Sequence, residues 1–162
     1  MTKVRIDLQK VSKEKHHRPH KREVDRWFLQ LLEQLSKLKE LPGEAKLLEE
    51  YSLTLRIVDE EEGLRLNNRF RGINRASNVL SFPFESPVAE SDDYLGDLVM
   101  SGVVIEREAR EHRMQVKDYW AKMFIHGCLH LFGYTHETDE DHQRMEAVSE
   151  AVMQDILEPR AA

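Results

Sequence analysis

Three histidines in the last third of the chain have the spacing of a metal site. His126 and His130 are four residues apart, so in a helix their imidazoles lie on one face. Gly133 can take the positive φ that ends a helix and turns the chain back, which lets His136 reach the same point. Three imidazole ligands leave a fourth coordination position open, as in catalytic zinc sites. The stretch therefore predicts a zinc centre, although nickel and copper also accept imidazole.

This ligand set predicts hydrolysis but does not choose the substrate. Three neutral ligands leave zinc its full charge, so a bound water has a pKa of about 7 and can attack a phosphodiester or an amide. The order H-x-x-x-H-x-x-G-x-x-H is similar to that of metzincin peptidases, which place a glutamate directly after the first histidine. Gly127 stands there instead, so the general base of those peptidases is missing. An amide hydrolase remains the second hypothesis.

Residues 126–136 also resemble a longer signature, H-G-x-L-H-L-x-G-Y-D-H, which belongs to the YbeY family of bacterial endoribonucleases that mature ribosomal RNA. The segment from Asn68 to Pro83 is similar to the family's N-x-x-(Y/F)-R-G-x-D-x-x-T-D-V-L-S-F-P segment, and Leu95–Val99 is similar to its L-G-D-I-x segment. The resemblance runs from about Tyr51 to the end of the last helix.

Three residues depart from the family pattern. Asn74 and Asn78 stand where aspartate is usual, and Thr135 stands where an aspartate precedes the last histidine. Because Thr135 neighbours a predicted ligand, it removes a carboxylate from the surroundings of the metal while leaving the ligands themselves in place.

The resemblance implies a single-strand-specific, zinc-dependent endoribonuclease that acts in 16S rRNA 3′-end maturation and in ribosome quality control. It implies one zinc ion held by His126, His130 and His136, with RNA of the small ribosomal subunit as the partner. The family's functional arginine falls on Arg71. A third hypothesis is a non-catalytic, ribosome-associated protein whose zinc is structural, which would need a fourth protein ligand.

Four arginines and no acid lie between Leu64 and Ser77, so this stretch is locally positive. The planar guanidinium of Arg71 can hold a phosphate through two hydrogen bonds and stabilise the charge that grows in a phosphoryl-transfer transition state. At the end of a helix the same residue could instead interact with the helix dipole. The other three arginines are predicted to contact RNA phosphates or to be solvated charges: Arg65, Arg69 and Arg75.

No residue stands out as a general base. Four side chains are suitable by type, but nothing in the sequence places them near the metal: Asp97, His112, Glu137 and His142. We expect His112 and His142 to lie on solvent-facing sides of helices.

Charge and composition limit the partners. The formal charge of −6 argues against general nucleic-acid affinity, and we expect no DNA partner. No apolar run reaches the length of a membrane span, and the first residues lack the apolar core of a signal peptide. Cys128 is the single cysteine, which excludes an internal disulfide and fits a reducing compartment. We therefore expect a cytoplasmic protein with no membrane partner. The sequence leaves its oligomeric state open.

Hydrophobic periodicity predicts a single α+β (mixed α/β) domain over residues 1–162, with one sheet packed by about five helices. The resemblance implies that the sheet is mixed and roughly four-stranded, with the zinc-bearing helix in the core. Alternating apolar residues predict strands at 4–8, 51–57, 78–82 and 96–101, and residues 85–93 are predicted to be a mobile loop. Three- and four-residue spacing predicts helices at 24–38, 59–72, 104–114, 119–132 and 138–157. Pro42-Gly43 should stop the first helix, and Asp59 with Glu62 should cap the second.

Overall fold

The strands lie in the first two-thirds of the described chain with two helices among them, and three consecutive helices follow them. The computed structural model describes residues 3–38, 48–84 and 93–157. Within these ranges the elements are, in chain order, β1 (Lys3–Lys10), α1 (Lys21–Ser36), β2 (Glu50–Val58), α2 (Glu60–Arg71), β3 (Val79–Pro83), β4 (Tyr94–Ser101), α3 (Gly102–Glu111), α4 (Val116–Leu131) and α5 (Asp139–Leu157). Each of the predicted strands and helices is present, with its ends shifted by a few residues.

The four strands of the described ranges form one mixed sheet in the order β1-β2-β4-β3. β1 runs parallel to β2 and β2 runs parallel to β4, whereas β3 pairs with β4 in the antiparallel direction. Parallel neighbours need a long crossover connection, and α1 supplies it between β1 and β2. The predicted mixed α+β domain is therefore confirmed, and β3 forms one edge of its sheet.

The larger hydrophobic core lies on one face of the sheet, where α1, α4 and α5 pack together. Alternating residues of the central strands, such as Leu55 and Leu98, point into it and are fully buried. Trp27 of α1 and Phe124 of α4 meet there with their ring centroids 5.9 Å apart. Since α4 is apolar on nearly every side, it sits at the centre of this layer, as its sequence predicts.

The opposite face of the sheet carries a smaller cluster of Val58, Leu80 and Val99. Leu66 of α2 packs against this cluster, so α2 covers one part of the second face. These side chains come from the strand positions between those that face the larger core, which is the expected two-residue alternation of a strand.

Gly127 sets how closely α4 approaches the sheet. A Cβ atom at this position would lie 2.8 Å from Cγ2 of Val79 and 3.0 Å from Cδ2 of Leu98, closer than real Cβ contacts. The hydroxyl of Ser81 donates a hydrogen bond to the carbonyl of Gly127 at 3.0 Å. Gly127, which stands where metzincin peptidases have a glutamate, is therefore the point at which α4 docks onto β3 and β4.

Two local predictions are wrong in detail. α1 ends at Ser36, so Leu38 lies beyond the helix and is 41% exposed instead of joining the apolar stripe. Asp59 is the first cap residue of α2, but its side chain makes no hydrogen bond to the helix. Its carboxylate instead accepts the backbone N–H groups of Lys13 and Glu14 at 2.8 and 2.9 Å.

Glu14 takes over the capping role from a distant part of the chain. Its carboxylate accepts the backbone N–H of Glu60 at 2.7 Å, while Glu62 pairs with Arg56 at 2.9 Å. A local sequence pattern cannot reveal this exchange, because it joins segments about 45 residues apart. The predicted Pro42-Gly43 stop and most of the predicted 85–93 loop lie outside the described residues. None of the described helices has both the length and the apolar character needed to cross a bilayer.

We expect Gly127→Ala to destabilise the fold by about 1–3 kcal/mol, because the branched Val79 side chain cannot easily move aside. Urea denaturation monitored by circular dichroism measures the change. Gly63→Ala in α2 is the matched control, since its new Cβ would meet its neighbours at 3.6 Å or more, an ordinary contact. Equal stabilities of the two variants would contradict the proposed close docking of α4.

Candidate metal centre

A buried helix and a glycine turn together position the three predicted ligands. His126 and His130 project from successive turns of α4, which ends at Leu131. Gly133 has a φ of 100°, and the backbone N–H of Tyr134 donates to the carbonyl of Leu129 at 3.0 Å to close the turn. The chain then returns and brings His136 beside the helix. The positive φ predicted for the glycine is confirmed.

The three imidazoles converge in the described structure. The Nε2 atom of His126 lies 3.1 Å from that of His130 and 3.4 Å from that of His136. One ligand atom from each residue lies within 4.8 Å of the other two, and within the described residues no carboxylate or cysteine joins this group. Tetrahedral zinc bonds of about 2.0–2.1 Å imply nitrogen separations of about 3.3 Å. The donor set therefore fits a single divalent ion.

The surroundings favour neutral imidazoles, which are the form that binds a metal. Burial lowers the pKa of His126 to about 4, and the neighbouring His130 and His136 contribute to the shift. Burial also lowers the pKa of His130; the hydrogen bond to the Tyr134 carbonyl opposes this shift, and the charges of His136 and Arg71 add to it. Near neutral pH the two helical ligands therefore need to lose no proton before they coordinate an ion.

Hydrogen bonds at the far ring nitrogens orient two of the ligands. Nδ1 of His130 lies 2.9 Å from the carbonyl oxygen of Tyr134, so Nδ1 carries the proton and Nε2 is free to coordinate. Nδ1 of His136 lies 3.0 Å from Nδ1 of His142 in the first turns of α5. For His136 to coordinate through Nε2, its Nδ1–H must donate to His142, which then acts as the acceptor.

Sequence reasoning placed His142 on a solvent-facing side of a helix, and the residue is indeed exposed. It did not identify the contact of His142 with His136. The spacing could have suggested this contact. His142 follows His136 by six residues and lies in the first turn of α5, next to the loop that carries His136. His112, the other histidine considered as a base, stacks on Tyr119 with ring centroids 5.5 Å apart and is not part of the cluster.

Arg71 is the last residue of α2, and its positive charge contributes to the lowered pKa of His130. It lines a cavity of about 530 Å³ between α2, α3 and the loop that precedes β3. Arg75 and Asn74 line the same cavity. The arginine predicted to hold phosphate therefore lines an open polar cavity, and its charge also acts on His130.

The remaining predicted arginines do not all gather at this cavity. Arg65 and Arg69 are exposed on α2 and are not among the residues that line it. Asn67, which the sequence did not single out, is 2% exposed and donates from Nδ2 to the carbonyl of Arg75 at 2.8 Å. This bond holds the loop after α2 against the helix, which in turn places Arg75 near Arg71.

Comparison with known proteins agrees with this geometry. The family model described as Endoribonuclease YbeY matches residues 10–157. The chain belongs to the YbeY family. A solution structure of TM1509 from Thermotoga maritima is similar with a TM-score of 0.55 and 23% sequence identity, covering 94% of this chain and 91% of that one. At that identity the likeness supports the fold.

YbeY membership defines the activity at the level of the family, whose members are metal-dependent endoribonucleases of rRNA processing. At this level the protein is a hydrolase with an RNA substrate, and the three histidines supply a metal site for it.

Two of the three residues that depart from the YbeY pattern, Asn78 and Thr135, make local hydrogen bonds. Asn78 donates from Nδ2 to a carboxylate oxygen of Glu108 at 2.8 Å, so an aspartate at 78 would place two negative charges in contact. The hydroxyl of Thr135 donates to a carboxylate oxygen of Asp141 at 3.2 Å. A carboxylate therefore still lies close to the loop that carries His136, but it belongs to Asp141 of α5. Asn74 is exposed at the cavity that Arg71 lines.

We expect His142→Ala to weaken metal binding about 10- to 100-fold, because the exposed His136 loses the acceptor that fixes its ring. Competition with a chromogenic chelator measures the affinity. His142→Gln keeps an acceptor and should recover part of the loss, whereas His112→Ala removes an exposed histidine outside the cluster. If His142→Ala and His112→Ala bound metal equally well, His142 would have no role in orienting the ligand.

Proposed function

We propose that this protein is a cytoplasmic, single-strand-specific, zinc-dependent endoribonuclease that acts in 16S rRNA 3′-end maturation and in ribosome quality control. The observation that carries the proposal is the convergence of three imidazole nitrogens in a chain of an endoribonuclease family. Family membership supports RNA as the substrate class, and the converging histidines support a metal site.

His126, His130 and His136 would hold one zinc ion, which when bound supplies an acidified water as nucleophile and polarises a phosphate oxygen. The chain's own contribution is orientation. α4 fixes two of the rings through its burial in the core, and the turn at Gly133 fixes the direction from which the third arrives. Rigid placement of this kind lowers the barrier because the reacting groups need not be reorganised.

Arg71 would bind the phosphate at the scissile position. Its guanidinium is always charged and can donate two parallel hydrogen bonds to phosphate oxygens. Because it is exposed at the end of α2, the phosphodiester of a single strand can approach it from the adjoining cavity. The base-paired phosphates of a duplex are held in a fixed helical geometry, so a flexible single strand fits this site better.

Two structural observations disfavour the other hypotheses. A structural zinc site closes its coordination with a fourth protein ligand, whereas only three residues form the cluster among the described residues. A peptidase of the metzincin type needs a glutamate directly after His126, and Gly127 is packed against Val79 and Leu98 with no space for one. Three histidines without a fourth protein ligand, in a chain of an endoribonuclease family, instead favour phosphodiester hydrolysis.

We expect Arg71→Ala to reduce kcat for cleavage of single-stranded RNA about 100- to 1,000-fold, as for the loss of a group that stabilises transition-state charge. Arg71→Lys keeps the charge but cannot donate two parallel hydrogen bonds to a phosphate, so its kcat should lie between that of Arg71→Ala and that of the wild type. The assay uses a labelled RNA that spans the 3′ end of 16S rRNA, compared with the same sequence in a duplex.

Arg110→Ala is the matched control, since this arginine is exposed on α3 and does not line the cavity. Wild-type kcat for Arg71→Ala would contradict the phosphate-binding role of Arg71. Equal cleavage by wild-type protein and by His126→Ala would show that the activity does not come from this site.

A further inference from the structure

Exposed aromatic side chains lie where the end of α2 meets the second face of the sheet. Phe70 of α2 is 56% exposed, and its ring meets that of Phe82 of β3 edge to face, with centroids 5.2 Å apart. Phe84 is 49% exposed and meets Tyr94 in the same manner at 5.3 Å. Exposed phenylalanines on an open sheet offer flat apolar surfaces at which a planar ligand can stack.

A shallow cavity of about 510 Å³ lies between α2 and the strands, with Phe70 and Phe82 as its aromatic wall. Val99 lies against it as an apolar contact, and Thr54 and Asp97 supply polar groups. A volume of this order is typical of small-ligand pockets and accommodates one nucleoside. The combination of an aromatic wall and a polar floor matches a ring system that carries hydrogen-bonding groups along its edge.

The polar groups of the floor are already ordered. The hydroxyl of Tyr94 donates to Asp97 and lies 2.8 Å from the hydroxyl of Thr54. Arg56 binds Glu62 at 2.9 Å on the other side of the cavity, which balances the charge of that carboxylate. The cavity therefore presents both acceptors and donors in fixed positions, as recognition of a base edge requires.

The charges around the aromatic wall favour RNA over an apolar peptide. The guanidinium carbon of Arg69 lies 5.4 Å from the centroid of the Phe70 ring, and Arg71 is the next residue along α2. No acid occurs between Leu64 and Ser77, so the helix end that carries Phe70 is uniformly positive. Aromatic rings interleaved with arginines are the usual surface for single-stranded nucleic acid, because bases stack and phosphates pair with the cations.

We propose that this face is a second RNA-binding site, in which one unpaired base of the substrate strand stacks on Phe70 while Arg69 contacts its phosphate. This inference rests on the proposed function, because it assigns a subsite to the same substrate. The sequence order Arg69-Phe70-Arg71 joins the two sites: Arg71 serves the phosphate at the metal centre, and Phe70 holds a base outside it.

The test measures equilibrium binding of a fluorescent 12-nucleotide single-stranded RNA to the full-length protein by anisotropy at 4 °C, with a gel check that the RNA stays intact. We expect Phe70→Leu, which keeps an apolar side chain but no ring, to bind about 5- to 100-fold more weakly. Phe70→Tyr restores a stacking surface and should bind as the wild type does. Leu29→Ala removes a 46%-exposed apolar side chain from α1 and serves as the control.

A second readout separates stacking from a structural effect. With 2-aminopurine placed at successive positions of the RNA, one position should be quenched by the wild type and by Phe70→Tyr but not by Phe70→Leu. Equal affinity of Phe70→Leu and wild type, or a loss of affinity without any change in quenching, would overturn the inference while leaving cleavage at the metal centre intact. If the wild type neither bound nor cut the RNA, the proposed function would fail together with this site.

Discussion

The contact of α4 with the edge of the sheet at Gly127 is the constraint on which the site depends. Only a residue without a side chain lets the helix approach Val79 and Leu98 so closely, and the hydroxyl of Ser81 then binds the helix carbonyl. The predicted ligands His126 and His130 lie directly before this contact and three residues after it, so the docking of the helix fixes the positions of two imidazoles. A helix buried on nearly all sides cannot rotate, and its only half-buried polar face carries the two histidines.

The third ligand is held by weaker and more exposed contacts. His136 comes from a loop, and its orientation depends on the turn at Gly133 and on His142 of α5. Thr135 and Asp141 add a second link between this loop and α5. The metal centre thus combines a rigid pair of ligands from the core with a third ligand whose position the last helix determines. Of the three imidazoles, that of His136 is therefore the most exposed to solvent.

Local sequence patterns predicted most of the fold and the clustering of the three histidines, because those features depend on short-range periodicity. The spacing of His126, His130 and His136 around a glycine was sufficient to predict their convergence. The contact of His142 with His136 and the capping of α2 by Glu14 were not predictable, since both depend on how distant segments pack. The exposed aromatic face was missed for the same reason: Phe70 and Phe82 belong to different elements, and only the fold brings their rings together.

Metal content tests the central claim most directly. Protein purified without a histidine tag, and compared with His130→Ala by mass spectrometry of bound metals, should contain about one zinc ion per chain in the wild type and much less in the variant. X-ray absorption at the zinc edge should then show the scattering pattern of three imidazole rings together with one oxygen ligand from solvent. The assignment of these histidines as ligands would be contradicted if the wild type contained no stoichiometric divalent metal. It would also be contradicted if His130→Ala contained as much metal as the wild type.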